Sequence, residues 1–207
     1  PKRPDLGVYT MRVRNGGNPD LLPEETAVTY AGVIFQPKRI EGLMISADFW
    51  HYDQENLIGT LGANTMLRNE DTLDPGRIER GPSPGGGLVG EVIALNDTFG
   101  NFHRYATEGW DFEARYQTKL GDDTLAFSAV ATKLGSAETQ SLGFGPRELV
   151  TRYSYASWRV NATGQWRRGS LDVVGHLNWI GRQEGAPPFE GLPAGQSALA
   201  MFNISVG

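Results

Sequence analysis

Cysteine is absent from the 207 residues, which excludes disulfides and thiolate-ligated metal sites. A basic excess is missing too: 24 acidic residues stand against 19 basic ones, for a net charge of −5. That balance argues against nucleic-acid binding, which needs a basic patch to replace phosphate counterions. Long apolar runs are also lacking, and none approaches the ~20 residues of a membrane-crossing helix. This excludes helical spans only, because barrel strands place their lipid-facing residues at every second position. Helical periodicity is nearly absent. The chain opens on Pro1 without initiator methionine or signal peptide and stops at Gly207 inside an alternating run. Both ends are therefore expected to be cut.

What is present is enough hydrophobic residue (39%) against 21% charged for a packed structure. The dominant period is two. Between Trp158 and Trp166, one face carries Trp158, Val160, Ala162, Gly164 and Trp166, and the other Arg159, Asn161, Thr163 and Gln165. Successive strand side chains point to opposite faces, so one side is apolar and the other hydrophilic. After Arg167-Arg168-Gly169-Ser170 the pattern resumes, with Leu171, Val173, Gly175, Leu177 and Trp179 on one face. A short link containing glycine between alternating runs predicts a hairpin.

Upstream, Trp110, Phe112, Ala114 and Tyr116 alternate with Asp111, Glu113, Arg115 and Gln117. A tight turn at Leu120–Asp123 leads to Leu125, Phe127, Ala129 and Ala131 on one face. Leu43, Ile45, Ala47 and Phe49 oppose Met44, Ser46, Asp48 and Trp50. A strand over about Glu24 to Gln36 is apolar on both faces, with Ala31, Val33 and Phe35 assigned to the lipid side. Phe202, Ile204 and Val206 form a last, unfinished face.

Links alternate in length. Short ones lie at Pro37–Gly42, Leu120–Asp123 and Arg167–Ser170; long polar loops are expected at Thr60–Gly87, Gly135–Tyr153 and Glu184–Gln196. Outer-membrane barrels show this asymmetry, with short periplasmic turns and long extracellular loops. A soluble β-sandwich also has period two. Against it, the runs exceed the usual ~5–6 residues of a strand. Trp158 and Trp166 are eight steps apart; at ~3.4 Å per step and ~40° tilt they rise roughly 21 Å, near the ~25 Å between aromatic girdles. The expected fold is all-β, an incomplete antiparallel transmembrane β-barrel of about seven long strands.

Several motifs then occur in a telling order. Asn18-Pro19-Asp20-Leu21-Leu22-Pro23-Glu24 resembles the signature that opens a barrel strand in TonB-dependent outer-membrane receptors. Gln36-Pro37 through Gly42, followed by Leu43 to Tyr52 with Asp48-Phe49-Trp50, resembles that family's next turn and strand. Asn101 with Thr107-Glu108-Gly109-Trp110-Asp111, then Ser157-Trp158-Arg159-Val160-Asn161 and Trp179-Ile180-Gly181, resemble later strands. The resemblance runs from Asn18 to Gly207 and covers the C-terminal part of a barrel that has twenty-two strands. It implies that residues 1–207 are a partial receptor barrel, without its plug domain and final strands.

The resemblance also implies a location in the outer membrane of a Gram-negative bacterium. It implies energised uptake of a scarce ligand: a ferric siderophore, haem, cobalamin or an oligosaccharide. The implied partners are outer-membrane lipid, the plug of the same full-length chain, TonB through a missing N-terminal region, and the ligand. The competing expectations are a passive porin-like barrel and a soluble β-rich carbohydrate-binding module.

No residue is assigned a catalytic, metal-binding or cofactor-binding role, and no enzyme activity is expected. His51, His103 and His176 are scattered and are read as structural or lumen-facing rather than zinc or haem ligands. The acidic stretch Asn69–Gly76 lacks the spacing of a calcium loop. Asp111 and Glu113 share a face and are expected to line the lumen, paired with Arg115, rather than act as catalytic carboxylates. The glycosylation sequons at Asn161 and Asn203 lie on strands and carry no weight. Pro82–Gly87 is not a phosphate loop, since no Lys-Ser/Thr follows it. Phe99, Phe102 and Tyr105 fit either a sugar-stacking platform or an interfacial belt. The ligand contacts are unassigned.

Overall fold

A computed structural model describes residues 10–151, 155–184 and 195–207. Residues 152–154 and 185–194, parts of the expected loops Gly135–Tyr153 and Glu184–Gln196, lie outside the described residues, as do residues 1–9. The strands are β1 (Arg12–Arg14), β2 (Glu25–Phe35), β3 (Leu43–Gly59), β4 (Ile78–Arg80), β5 (Val92–Asn96), β6 (Gly100–Leu120) and β7 (Asp123–Ser141). They continue with β8 (Arg147–Glu148), β9 (Trp158–Arg168), β10 (Leu171–Ile180), β11 (Gln183–Glu184), β12 (Gly195–Gln196) and β13 (Leu199–Val206). A short helix, α1 (Ala63–Arg68), and a 3₁₀ turn at Glu70–Thr72 lie between β3 and β4.

The main sheet has the order β13-β10-β9-β7-β6-β3-β2, with β8 added beside β7. Along this path each long strand neighbours the next in sequence, so the sheet is an up-and-down meander. Its two tightest links are the two-residue turns Gly121-Asp122 and Gly169-Ser170. Gly121 and Gly169 have φ of 62° and 58°. A glycine with positive φ at the first turn position gives the twist that antiparallel strands require. The seven strands expected from alternation are present, and β2 matches its expected limits closely.

The chain divides into two compact units. One comprises Pro1–Thr26, Gln54–Tyr105 and Thr139–Arg147; the other Ala27–Asp53, Ala106–Glu138 and Glu148–Gly207. The first holds an apolar core of Leu61, Met66, Val92 and Leu95, with Met11, Leu73, Ile78 and Phe102 against it. A small sheet, β1-β5-β4, contributes to this unit, β1 pairing parallel to β5.

Two loop expectations need correction here. Thr60–Gly87 is not a structureless polar loop. Met66 and Leu73 fold inward with Val92 and Leu95, so α1, the 3₁₀ turn and β4 form around them. Nor does Gly135–Tyr153 begin as a loop, because β7 continues to Ser141 and β6 starts at Gly100. These outer stretches lack clean alternation, yet they hydrogen-bond as a ladder. The backbone ladder is indifferent to side-chain pattern, which is why periodicity underestimated both strands.

The second unit is different. Its sheet faces carry few fully buried side chains; Val33, Phe127, Phe202 and Ile204 are about half to two-thirds exposed. Every residue of β2 and of β13 is exposed.

Candidate membrane interface and polar ladder

The registers between β7, β9, β10 and β13 test the two-faced reading row by row. On the apolar side the first row is Asp123, Arg168 and Leu171, and the next Leu125, Trp166, Val173 and Val206. Then come Phe127, Gly164, Gly175 and Ile204, followed by Ala129, Ala162, Leu177 and Phe202. The last rows are Ala131, Val160, Trp179 and Ala200, and finally Lys133 beside Trp158. All the apolar faces expected on these four strands coincide on one face. Charge occurs on it only in the first and last rows. Those rows are ten residues apart on β7, so at ~3.4 Å per residue and ~40° tilt they stand roughly 26 Å apart, close to the ~25 Å apolar band of outer-membrane barrels.

The band has aromatic margins. At the Lys133 end the Lys133 ammonium lies 5.7 Å from the Trp158 ring centroid. Ring contacts continue from Trp158 to Phe112 (6.0 Å), Trp110 (6.2 Å) and Phe49 (5.3 Å). These contacts place Phe49, Trp110 and Phe112 on the same face as Trp158, as alternation predicted. Two indoles, each with an N–H on an apolar body, interleaved with two phenyl rings and topped by a snorkelling cation, suit a membrane–water boundary. On β2 the Tyr30 hydroxyl donates to Asp48 at 2.6 Å. Even-numbered β2 residues therefore share the Asp48 face, which leaves Ala31, Val33 and Phe35 on the apolar one.

The opposite face is a ladder of cross-strand polar pairs. Asn178 donates to Asn161 at 2.5 Å, His176 Nδ1 lies 3.0 Å from the Thr163 hydroxyl, and Gln165 donates to Asp172 at 2.8 and 2.9 Å. Arg167 also reaches Asp172, at 3.0 Å. The Thr132 hydroxyl donates to Asp111 at 2.6 Å, and Glu113 pairs with Arg115. Asp111 and Glu113 are thus each engaged separately. A face of paired amides and charges is compatible with water and costly against hydrocarbon.

The other sequence-predicted candidates are also accounted for. His51 faces Glu108 at 3.4 Å, and His103 packs edge-on against Phe102. Among the described residues no three His, Cys, Asp or Glu side chains gather as metal ligands. In the acidic stretch, Glu70 binds Arg80 through both oxygens at 2.6 and 2.8 Å, and Asp74 faces Arg77 at 3.7 Å. Phe102 is covered by the Arg77 guanidinium, 4.8 Å from its centroid, and is not an open stacking platform. Phe99 stays exposed.

Two anchors were invisible to sequence reasoning because their partners are far apart in the chain. The Asp97 carboxylate is buried and accepts from the backbone N–H of Leu61 (2.9 Å) and Gly62 (3.0 Å), just before α1. The Asn101 amide accepts from Leu22 N–H and donates to the carbonyls of Leu22 (2.9 Å) and Asn56 (2.6 Å). Glu24 accepts from Ile58 N–H at 2.8 Å. The Asn18–Glu24 motif and the motif beginning at Asn101 therefore meet in space. Asn56 has φ of 57°, a left-handed conformation that asparagine tolerates, and its carbonyl is one that Asn101 holds. Asn101→Ala is expected to cost about 2 kcal/mol, since three hydrogen bonds go at once. Faster amide exchange at Leu22, with the Ala131 amide unchanged, is the result to look for.

Glu148 pins the excursion after β7. Partial burial works to raise its pKa. Hydrogen bonds from Val150 N–H, the Ser136 hydroxyl, Ala137 N–H and Leu149 N–H outweigh it and hold the carboxyl below the usual glutamate range. A depressed folded-state pKa contributes stability above the unfolded value, lost as pH falls through the folded one. Exchange at Val150 should therefore quicken as pH drops below the glutamate range, once the intrinsic pH dependence of exchange is removed, while Leu149, which also donates to the Ala137 carbonyl at 2.8 Å, changes less. Glu148→Gln should show the quicker exchange already at neutral pH and no further acid-driven change.

The chain matches no protein-family model and no curated protein sequence. Among solved structures it superposes on the siderophore receptor PirA from Acinetobacter baumannii with a TM-score of 0.59 and 17% identity, over 93% of this chain. The fold is an open β-barrel segment. The segment spans 26% of the length of that receptor. Its apolar rows and polar ladder are the two sides that a barrel wall requires.

Proposed function

We propose that this barrel segment is part of the wall of an outer-membrane active-transport receptor in a Gram-negative bacterium. The carrying observation is the band of apolar rows, free of charge for roughly 26 Å and closed at both margins by charged and aromatic residues. A soluble sandwich covers its apolar face with a second sheet. Here that face is exposed, and Phe127, Phe202 and Ile204 suit hydrocarbon. The ladder face lines a watery lumen.

In this reading residues 1–207 belong to one barrel domain whose plug is supplied by another part of the same protein. TonB provides the energy, and the cargo is a scarce ligand such as a ferric siderophore, haem, cobalamin or an oligosaccharide. The ordered motifs from Asn18 onward support the energy coupling, and the likeness to a siderophore receptor supports the transport class. The role is carriage without covalent chemistry, so the protein is not an enzyme.

The adjoining coding sequence tests the assignment. A plug-type domain upstream is expected, together with ligand uptake that a protonophore abolishes. A plugless continuation with uptake that survives the protonophore means a passive channel and overturns the receptor reading. Cooperative, monodisperse folding of this segment in water without detergent overturns the membrane placement itself.

A further inference from the structure

The apolar face has one dent. In the row Phe127, Gly164, Gly175 and Ile204, two neighbouring positions carry no side chain. A groove of about 430 Å³ lies there, bounded by Tyr116, Phe127, Leu125, Trp166 and Val173. Nothing approaches Gly164: an added Cβ would meet no atom within 4 Å. On Gly175 it would meet only the Phe202 ring, at 3.4 Å. Neither glycine has a positive φ, so no backbone conformation calls for them. A glycine inside a strand weakens it, and such a position often marks close approach by something outside the sheet.

Charge at the margin indicates what approaches. Arg168 lies on the same face, four residues from Gly164 and so about 14 Å along β9. Its side chain is 65% exposed and its Nε stands 3.3 Å from Asp123. A guanidinium has five donors in a planar fork suited to phosphate, and one partner leaves the others available. The groove ends at the row of Leu125, Trp166 and Val173, and Arg168 stands in the next row towards the membrane margin, so an apolar dent lies one row from an exposed arginine, which is the chemistry of a lipid site.

We propose that this groove holds one acyl chain of a glycerophospholipid from the leaflet at the short-turn end, with its phosphate on Arg168. The inference rests on the membrane placement above. Native mass spectrometry of the whole protein in mild detergent tests it, with dioleoyl-phosphatidylethanolamine and the phosphate-free dioleoylglycerol as probes. The expected result is one retained phospholipid, favoured over dioleoylglycerol by about five-fold, the size of one modest hydrogen bond.

Gly164→Leu fills the groove and should reduce retention of both probes to micellar background; Gly164→Ala, the gentler change, should reduce it partly. Arg168→Gln should remove only the preference for the phosphate. Phospholipid retention by Gly164→Leu equal to that of the unmodified protein overturns the proposal. So does a dimer that Gly164→Leu abolishes, because a second copy then fills the dent. Insertion into vesicles, measured alongside, separates the two failures: loss of insertion refutes the membrane placement, while insertion without lipid retention refutes only the groove.

Discussion

Ala129→Arg should lower stability in a phospholipid bilayer by about 2–4 kcal/mol, whereas Val130→Arg, the next residue on the same strand, should stay within about 0.5 kcal/mol. Ala129 shares its row with Ala162, Leu177 and Phe202, in the middle of the apolar band. An arginine there must desolvate its charge or thin the bilayer around it. Val130 is opposite Asn161 on the ladder face and is 45% exposed, so an arginine there meets water. The two sites are adjacent in one strand, so they share its backbone setting and differ chiefly in the face they occupy. Reversible denaturant unfolding of the whole protein in vesicles reads both. Equal losses at the two positions would mean that the faces do not differ in solvent, and the membrane reading would fail.

Arg80→Ala carries the second large effect, about 3–5 kcal/mol, confined to the unit that contains β4 and β5. The Arg80 and Glu70 side chains are only 17% and 16% exposed. The guanidinium grips both carboxylate oxygens and also donates to the Gly90 carbonyl. Removing it strips a mostly buried carboxylate of its two-pronged cation, which costs more than the bond itself was worth. Arg80→Lys should recover only part, because an ammonium cannot reproduce the planar fork. Amide exchange at Val92–Asn96 should accelerate on the order of 10²-fold or more, with the β9–β10 amides unaffected. Replacing both residues by leucine should be far milder than either single truncation. A double variant as damaged as Arg80→Ala would show that packing, not the ion pair, holds this unit.

The barrel wall was legible in the sequence because a strand with one apolar and one polar face must alternate. Trp158 to Trp166 and Leu171 to Trp179 could be assigned to faces before any pairing was known. Register then brought Leu125, Trp166, Val173 and Val206 into one row without contradiction. The unit around Met66 and Leu95 was not legible. Met66 and Leu95 are the largest fully buried side chains among the described residues, yet they lie in stretches rich in glycine, proline and charge. Short irregular elements leave no period to detect, and their stability comes from contacts such as Asp97 with Leu61 and Gly62.

By itself, the sequence determined the fold class, the seven long strands of the main sheet, the two tight turns and which residues face apart, because these follow from the two-residue period and from glycine at the turns. Only the tertiary structure decided that Asn101 clamps Leu22, that Glu70 closes on Arg80, and that Gly164 and Gly175 open a groove above Arg168. Each of these joins residues through space, and a one-dimensional pattern carries no information about which distant positions meet.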